Sequence, residues 1–394
     1  MEEWRIYGKK ADFNAIAQAF GISPVTARVI RNRDVCEAEE IRAYLYGTKE
    51  QMHSPFLMKD LEKACDILLE KIREGKKIRV AGDYDCDGIN ATYILLTALK
   101  RLGGQADFVI PDRIHDGYGI NEEIVKKAAV EGVDTLLTCD NGISASDQIR
   151  LAGRLGMTVI VTDHHDIPEQ GIPPAAAVVN PKQQDCPYPF KGLCGAAVAF
   201  KLVQVMYEKR GIPAEEAYQY LEFAALATVA DVMELKGENR ILVREGLARL
   251  RRTENIGLNA LIEVCKLKKD ALVSYHLGFV IGPCLNASGR LETAALSLEL
   301  LLCQDADRSR SIAENLRQLN ETRKDMTVKG TEQAVAVIEQ EHMEQDPVLV
   351  VYLPGCHESI AGIIAGRLKE KYHRPSIVLT DSLEGVKGSG RSIE

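Results

Sequence analysis

Short apolar runs recur through the middle of the chain, and most of them are separated by stretches with helical periodicity. The runs are KIRVAGD, ADFVIPD, DTLLTCD, TVIVTDHH and AAVVNP, between residues 77 and 181. The segments ATYILLTALKRLGG and NEEIVKKAAVEG lie between them and space their apolar residues as a helix does. Strands that alternate with helices in this way predict an α/β fold, with a parallel sheet that has helices on both faces.

The flanking segments have different patterns, and together they predict a chain of four parts. Residues 1–60 are expected to form an N-terminal helical extension, and residues 61–303 the sheet domain with a helical insert. Residues 304–343 are charged and free of proline, which predicts a long connecting helix. A new strand–helix–strand pattern begins at PVLVVYLPG, so residues 344–394 are expected to form a second, smaller α/β domain.

Composition excludes some classes of protein without identifying one. The chain of 394 residues has 46% apolar residues and no run close to the roughly 20 that a membrane span needs. The N-terminus lacks the apolar core of a signal peptide, and the ten cysteines include no CxxC pair, so a cytoplasmic location is expected. A net charge of −8 argues against non-specific adhesion to DNA. It leaves open a local basic groove, or a site whose positive charge comes from metal ions.

Acidic and imidazole side chains occur where the predicted strands end. Ligands of an open parallel sheet bind at the carboxyl ends of its strands, so these side chains are expected to converge on one crevice. Asp231 follows the apolar run AALATVA, which is predicted to be a further strand. The residues are Asp83, Asp85, Asp140, Asp163, His164, His165 and Asp231.

Each of these residues has a simpler explanation when it is taken alone. An aspartate after a strand is commonly the N-cap of the next helix, and Asp87, just before Gly88, is the best candidate for such a cap. The combination favours a metal site, because carboxylates together with imidazoles suit Mn²⁺, or Mg²⁺ with fewer nitrogens. Two such ions about 3.5–4 Å apart can activate a water and stabilise the leaving oxygen of a phosphoryl group.

The segments DYDCDG, CDNG, DHH and ADVMEL together resemble the DHH phosphoesterase superfamily. Within it, the chain is similar to the RecJ single-strand-specific exonucleases through PDRIHDGYG, GLCGAAVAFKL, GPCLNASGRL, HESIAGIIAGRL and KGSGRS. These segments cover nearly the whole chain in family order. The resemblance implies a DHH domain at residues 61–303, part of a DHHA1-type substrate-binding domain at residues 344–394, and two bound Mn²⁺ or Mg²⁺ ions.

The resemblance also implies a role for each candidate residue. The implied metal ligands are Asp83, Asp85, Asp140, His164 and Asp231, with Asp140 as the bridge. His165 would lie beside the scissile phosphate, with Asp163 orienting the histidines and Arg290 contacting phosphate near the cut. The implied substrate-binding residues are Arg113, Asn286, Ser288, His357, Ser389 and Arg391. Of these, Arg113, Ser389 and Arg391 would form a pocket for a terminal 5′ phosphate, since the arginine fork matches phosphate oxygens.

Three features bear on the substrate. Cys356 stands where RecJ proteins often have a tryptophan, so an aromatic surface for stacking a base is expected to be missing. The sequence stops at GSGRSIE, before the glycine-glycine-histidine motif and the OB domain of many members, so the second domain is expected to be partial. Residues 236–252 hold six basic and two acidic residues, a net +4, which suits either a solvated helix face or a surface that follows a nucleic-acid backbone.

Three functional hypotheses follow. The leading one is a metal-dependent 5′→3′ exonuclease that releases mononucleotides from single-stranded DNA in recombination and repair, with a helicase or a single-strand-binding protein as further partners and no membrane. The alternative is a phosphodiesterase for short oligonucleotides or cyclic dinucleotides that uses the same two-metal site. The third is a non-catalytic replisome scaffold, which is disfavoured because inactive relatives have lost metal carboxylates that this chain retains.

Overall fold

A five-stranded parallel sheet forms the centre of the larger part of this computed structural model, which describes residues 8–382 and 385–393. Its strand order is β2-β1-β3-β4-β5, and all neighbouring strands pair in parallel. The strands are β1 (Lys77–Ala81), β2 (Gln105–Val109), β3 (Thr135–Cys139), β4 (Thr158–Thr162) and β5 (Ala177–Val179). All five predicted runs are therefore confirmed as strands.

Helices cover both faces of this sheet, as the sequence predicts. Successive side chains of a strand point to opposite faces, so Val80 of β1 packs in one apolar cluster and Ala81 in the other. One face packs against α4 (Leu61–Arg73), α5 (Cys86–Arg101) and α8 (Gly195–Lys209). The other face packs against α6 (Glu122–Val130) and α7 (Ser146–Arg154).

Further helices come before the sheet in the chain, and others come after α8. The N-terminal ones are α1 (Phe13–Phe20), α2 (Pro24–Asn32) and α3 (Ala38–Tyr46), followed by 3₁₀ turns at Lys49–Gln51 and Pro55–Leu57. After α8 come α9 (Ala214–Tyr218), α10 (Leu221–Ala230), α11 (Gly237–Leu250), α12 (Ile256–Val264), a 3₁₀ turn at Lys269–Ala271, α13 (Ser274–His276), a π-helical segment at Leu277–Ile281, α14 (Gly282–Leu291) and α15 (Ala295–Leu302).

One prediction in this helical region is wrong. The run AALATVA lies in α10 and is not a strand, because a short apolar run fits a buried helix as well as it fits a strand. In the basic stretch at 236–252, three arginines donate to backbone carbonyls of neighbouring segments and keep their positive charge. Arg240 donates to Tyr44, Arg244 to Leu45 and Arg251 to Leu272.

A 35-residue helix leads to the second, smaller α/β unit. This helix is α16 (Ala306–Gln340), and after a 3₁₀ turn at Met343–Gln345 come β6 (Leu349–Tyr352), α17 (Glu358–Tyr372), β7 (Ser376–Ser382) and β8 (Gly385–Arg391). Strand β7 pairs in parallel with β6 and antiparallel with β8. Helices α16 and α17 approach closely, since a Cβ at Gly330 would lie 2.5 Å from Cδ1 of Ile364.

No helix in the described part of the chain combines the length and the apolar character that a membrane crossing requires.

Candidate active site

The loop after β1 supplies the first carboxylates. Asp85, and not Asp87, is the N-cap of α5, because its side chain accepts hydrogen bonds from the backbone N–H groups of Asp87 and Gly88 at 2.9 and 3.0 Å. The cap prediction for Asp87 is therefore wrong. Asp83 lies two residues earlier and is almost fully buried.

Asp87 instead connects two helices at the centre of the site. Its two carboxylate oxygens accept from the N–H groups of Gly195 and Ala196, both at 2.7 Å, where α8 begins. The first N–H groups of a helix have no partner within the helix, so these two bonds satisfy donors at the N-terminus of α8. This residue was absent from the predicted site, because its partners lie more than a hundred positions further along the chain.

Asp140 follows β3 and is held against the start of α8. Its backbone has φ of 61°, and its side chain is buried. A Cβ at Gly195 would lie 2.7 Å from Oδ1 of Asp140, so the glycine is what allows the helix to begin beside this carboxylate. Any side chain at position 195 would therefore push the Asp140 carboxylate aside.

Asp163 fixes the two histidines that follow β4. Its carboxylate accepts from the backbone N–H groups of Ile143 and His164 at 2.9 and 2.7 Å, and its Oδ1 lies 2.8 Å from Nδ1 of His165. Burial acts to raise the pKa of Asp163, but the hydrogen bond and the charge of His165 outweigh it and hold that pKa below its ordinary value. The same hydrogen bond raises the pKa of His165.

The predicted ligands converge around His164. Its Nε2 lies 3.0 Å from Oδ1 of Asp140 and 3.8 Å from Oδ2 of Asp231, which ends helix α10. Asp87 also approaches, with Oδ2 at 3.5 Å from the same nitrogen. Ligand atoms within 4.8 Å of one another form three overlapping groups. These are Asp83, Asp85 and Asp140; Asp140, His164 and His165; and Asp87, His164 and Asp231.

Burial and mutual repulsion make this cluster costly when every carboxylate is ionised. Burial, and after it the charge of Asp85, raises the pKa of Asp83 to about 8. Burial and then Asp87 raise the pKa of Asp231 to about 7, and the same two causes raise the pKa of Asp140. Burial lowers the pKa of His164, so its imidazole is neutral and available as a ligand.

The donor set fits divalent cations of the Mn²⁺ and Mg²⁺ class. Oδ1 of Asp83 is buried and receives no hydrogen bond from any residue that the structure describes. Oxygen ligands with one or two imidazoles are typical of Mn²⁺, and positive charge here would relieve the repulsion between the carboxylates. The residues present therefore match the two ions that the sequence implies.

Tyr118 is a site residue that the sequence prediction missed. Its hydroxyl donates to the backbone carbonyl of Asp140 at 2.9 Å and lies 3.2 Å from Nδ1 of His165. Beside it is a cavity of about 220 Å³, lined among others by Ile143 and Gln148. Tyr118 lies within PDRIHDGYG, but a tyrosine in a loop gave no separate signal for this contact.

A second cavity, of about 280 Å³, lies between α14, α17 and β8, and is called here the basic cavity. A Cβ at Gly362 would lie 2.7 Å from Oγ of Ser389 and 3.0 Å from Nη2 of Arg391, so a side chain there would displace these two groups of the cavity wall. The residues that line it are Arg113, Arg290, Glu358, Ser359, Gly362, Ile363, Lys387, Gly388, Ser389 and Arg391. The structure thus brings together the three residues predicted to bind a terminal phosphate.

Two arginines place the basic cavity next to the carboxylates. Arg290 is held by a 2.7 Å hydrogen bond from Nη1 to the carbonyl of Ser359, and the Arg113 guanidinium lies 4.2 Å from the centre of the Tyr84 ring. Burial, and then the nearby charge of Arg113, lowers the pKa of Arg290 to about 10, while Asp85 acts in the opposite direction. A bound anion would relieve the repulsion between the two guanidinium groups.

The remaining predicted substrate residues do not line this cavity. Ser288 has no exposed surface, and its hydroxyl bonds to the Leu285 carbonyl and to Ser297, so the prediction of a substrate contact is wrong. Asn286 accepts a 2.6 Å hydrogen bond from the backbone N–H of Cys86 and thereby supports the start of α5. His357 is the N-cap of α17, at the edge of the cavity.

Comparisons with known proteins identify relatives of this chain. Residues 77–228 match the DHH family, N-terminal domain. The single-stranded-DNA-specific exonuclease RecJ of Bacillus subtilis is 37% identical over 393 residues, which are 99% of this chain and 49% of that protein. The chain therefore spans about half the length of this relative.

Two solved structures are also similar. A crystal structure of exonuclease RecJ bound to manganese is 35% identical with a TM-score of 0.77, over 86% of this chain and 83% of that one. RecJ from Thermus thermophilus in complex with Mn²⁺ is 32% identical with a TM-score of 0.81, over 97% of this chain and 53% of that one.

Proposed function

This chain belongs to the RecJ family of DHH phosphoesterases, and we propose that it is a metal-dependent 5′→3′ exonuclease that hydrolyses single-stranded DNA to mononucleotides. One observation carries the proposal. A carboxylate centre that fits two cations lies next to a basic cavity that fits a terminal phosphate, with Arg113 and Arg290 in the cavity wall nearest the carboxylates. A strand end bound in the cavity would place a phosphodiester bond beside the carboxylates.

The metal-binding role is proposed for Asp83, Asp85, Asp140, His164 and Asp231. Asp140 and His164 each belong to two of the three ligand groups, and Asp140 is the proposed bridge because a carboxylate has two oxygen atoms to offer. When bound, two divalent ions would activate a water molecule and stabilise the charge that develops on the leaving oxygen. Asp87 lies within the same ligand set but is already bonded at both oxygens to α8. Its proposed role is to hold the helix and contribute negative charge.

The remaining side chains position the phosphate. His165 is half-exposed, and its hydrogen bond to Asp163 favours the protonated imidazole, so His165 can donate to a phosphate oxygen beside the cut. Tyr118 limits the movement of that ring. Arg290 keeps one guanidinium nitrogen on the Ser359 carbonyl and can offer the others to phosphate.

The basic cavity accounts for the proposed direction of digestion. Arg113, Ser389 and Arg391 supply charged and hydroxyl donors around a space of about 280 Å³, large enough for a phosphate group. Lys387 adds positive charge but is paired with Glu358 at 2.6 Å. A terminal phosphate carries more negative charge than an internal one, so it is expected to be preferred there.

The test is a Mn²⁺-dependent digest of long single-stranded DNA with a 5′ phosphate and a 3′ label. The matched substrates are the same strand with a 5′ hydroxyl, a short RNA and a cyclic dinucleotide. Progressive shortening from the 5′ end, with a faster rate on the phosphorylated strand and poor cleavage of the short substrates, is the expected result. Cleavage of the dinucleotide alone would contradict the proposal and assign the chain to the small-phosphodiesterase class.

Recombination and repair are the processes that this activity would serve. A helicase or a single-strand-binding protein as partner, and a location in the cytoplasm, stay predictions. Co-purification with either partner from cells, against an otherwise identical chain carrying Asp140→Ala, would test whether such an association exists independently of nuclease turnover.

A further inference from the structure

Two cysteine side chains meet between three helices, outside the site described above. Cys265 directly follows α12, Cys284 lies in the first turn of α14, and both helices pack against α16. The two Sγ atoms are 3.9 Å apart. In residues 8–382 and 385–393, no other two thiols hydrogen-bond to each other.

The two thiols differ in their surroundings. Cys284 is 2% exposed, whereas Cys265 is partly open to solvent. The two thiols share a hydrogen bond, and this bond, together with the charges of Arg317 and Lys324 on α16, lowers the pKa of Cys265 against the opposing effects of burial and Glu321. The same bond, followed by burial, raises the pKa of Cys284. Cys265 is therefore the thiol that ionises first and that a small oxidant can reach.

Helix α14 connects this pair to the proposed active site. Two residues after Cys284, Asn286 supports the loop of Asp83 and Asp85 through the Cys86 N–H, and Arg290 lines the basic cavity. In a disulfide the two Sγ atoms must approach from 3.9 Å to about 2.05 Å, by rotation of the side chains, by movement of α14 towards the end of α12, or by both. Any such shift of α14 reaches both the carboxylate loop and the cavity wall.

We propose that Cys265 and Cys284 form a reversible disulfide under mild oxidation, and that this bond slows catalysis by displacing α14. With hydrogen peroxide as oxidant, the Cys265 thiolate attacks one oxygen, an S–O bond forms, the O–O bond breaks and hydroxide leaves. The Cys284 thiol then loses its proton to that hydroxide, giving one water, and its thiolate attacks the Cys265 sulfur. The S–S bond forms, the S–O bond breaks, and the hydroxide that leaves takes up the proton that Cys265 released when it ionised, giving the second water. Two thiols and one peroxide give one disulfide and two waters.

The experiment exposes the metal-free protein to about one equivalent of peroxide, removes the oxidant with catalase, and alkylates the remaining thiols under denaturing conditions. Tryptic peptides TENIGLNALIEVCK and DALVSYHLGFVIGPCLNASGR each carry one cysteine of the pair. The expected product is their cross-linked form, lighter by two hydrogens than the sum of the two peptides and lost after reduction. Preferential oxidation of the exposed Cys36, without this product, would overturn the proposal.

The effect on catalysis is measured on the same samples after Mn²⁺ is added. Oxidation is expected to slow cleavage roughly tenfold, a modest loss compared with what a ~1 Å displacement in a site can cause, and reduction should restore the rate. Cys265→Ser is expected to match the reduced wild type before and after peroxide, whereas the matched control Cys36→Ser should still cross-link and slow down. Slowing of Cys265→Ser by peroxide would show that the loss has another source.

The proposed disulfide and the proposed nuclease activity can be refuted independently. The coupling to catalysis rests on the proposed function, but the cross-linked peptide is detected by mass whatever the protein cleaves. Cross-linking with an unchanged cleavage rate would overturn the displacement of α14. Absence of cleavage in the reduced protein would overturn the proposed function and leave the disulfide to be decided by mass alone.

Discussion

The carboxylate centre and the basic cavity are built in opposite ways. The carboxylates occupy short loops at the buried ends of parallel strands and helices, and backbone N–H groups hold Asp85, Asp87 and Asp163 in place. The basic cavity is assembled from long side chains on separate segments, with much of its wall on the exposed strand β8. The carboxylate centre is fixed by the fold, whereas the basic cavity depends on how far its side chains extend. Substitutions in the carboxylate centre are therefore expected to reduce activity far more.

The largest effect is expected for Asp140→Ala. Because Asp140 belongs to two ligand groups, its loss should reduce Mn²⁺-dependent cleavage by at least ~10³-fold. The rise in melting temperature on adding Mn²⁺ should also disappear, while the metal-free variant should be no less stable, since a repelling buried carboxylate is removed. Asp147→Ala, at an exposed carboxylate on α7, is the control. Normal turnover of Asp140→Ala would refute the two-metal assignment.

Asp163→Asn tests whether the carboxylate centre depends on the hydrogen bonds around it. The expected loss of activity is roughly 10–100-fold, as for other residues that orient metal ligands. Since Asp163 raises the pKa of His165, the variant should lower that pKa, measured by NMR titration of the metal-free protein. Asp147→Asn, at an exposed carboxylate on α7, should change neither quantity. An unchanged His165 pKa would argue against the orienting role.

Arg391→Ala tests the basic cavity. A hydrogen bond to a charged group contributes about 1.5–3 kcal/mol, so removing this donor should slow cleavage of 5′-phosphorylated DNA by about tenfold or more. Cleavage of the 5′-hydroxyl strand should hardly change. Arg374→Ala removes the same charge from the same unit outside the cavity and serves as the control. Equal losses on the two strands would remove the phosphate assignment.

The smallest effect on activity, and an informative one on stability, is expected for Glu222→Gln. Glu222 is buried in α10, accepts a 2.7 Å hydrogen bond from Thr253, and has its pKa raised by burial from 4.5 to about 7. Because the carboxyl pKa is higher in the folded than in the unfolded chain, the contribution of Glu222 to the free energy of unfolding is largest below about pH 4.5 and falls as the pH rises towards 7. Glutamine keeps the acceptor without the charge, so the variant should be about 1–2 kcal/mol more stable at pH 8 and equal near pH 4.5.

Urea unfolding at the two pH values measures this difference. Glu332→Gln, on the exposed side of α16, should change stability by less than about 0.5 kcal/mol at either pH. A Glu222→Gln variant that was less stable than wild type at pH 8 would indicate that the carboxylate is ionised and paired in the folded protein. A buried carboxylate outside the carboxylate centre would then be ionised without a metal ion beside it.

The parallel sheet is predictable because each of its strands is a short apolar run followed by a polar residue at the end where ligands bind. Asp83, Asp140 and Asp163 could be placed together on that basis alone. Asp231 reaches the same site from a helix. Residues 221–228 of that helix are all buried, so the run has no helical periodicity that would distinguish it from a strand.

The rest depends on contacts that are distant in sequence. The role of Asp87 requires knowing where α8 begins, and the burial of Ser288 requires knowing that α14 packs against α15 at Ser297. Likewise, the hydrogen bonds from two arginines of α11 to carbonyls of α3 are visible only in the folded chain. Local sequence predicts which groups are available for chemistry, and tertiary packing decides which of them are already occupied.

The close approach of α16 and α17 at Gly330 bears on which phosphodiester bond the proposed enzyme would cleave. Because α17 packs closely on α16 at Gly330, and Ser359 of α17 accepts a hydrogen bond from Arg290 of α14, we expect the cavity to keep a constant separation from the carboxylates. A strand whose first phosphate fills the cavity therefore presents the same bond each time. The length of the released product would be set by the protein's own dimensions and would not vary with base sequence.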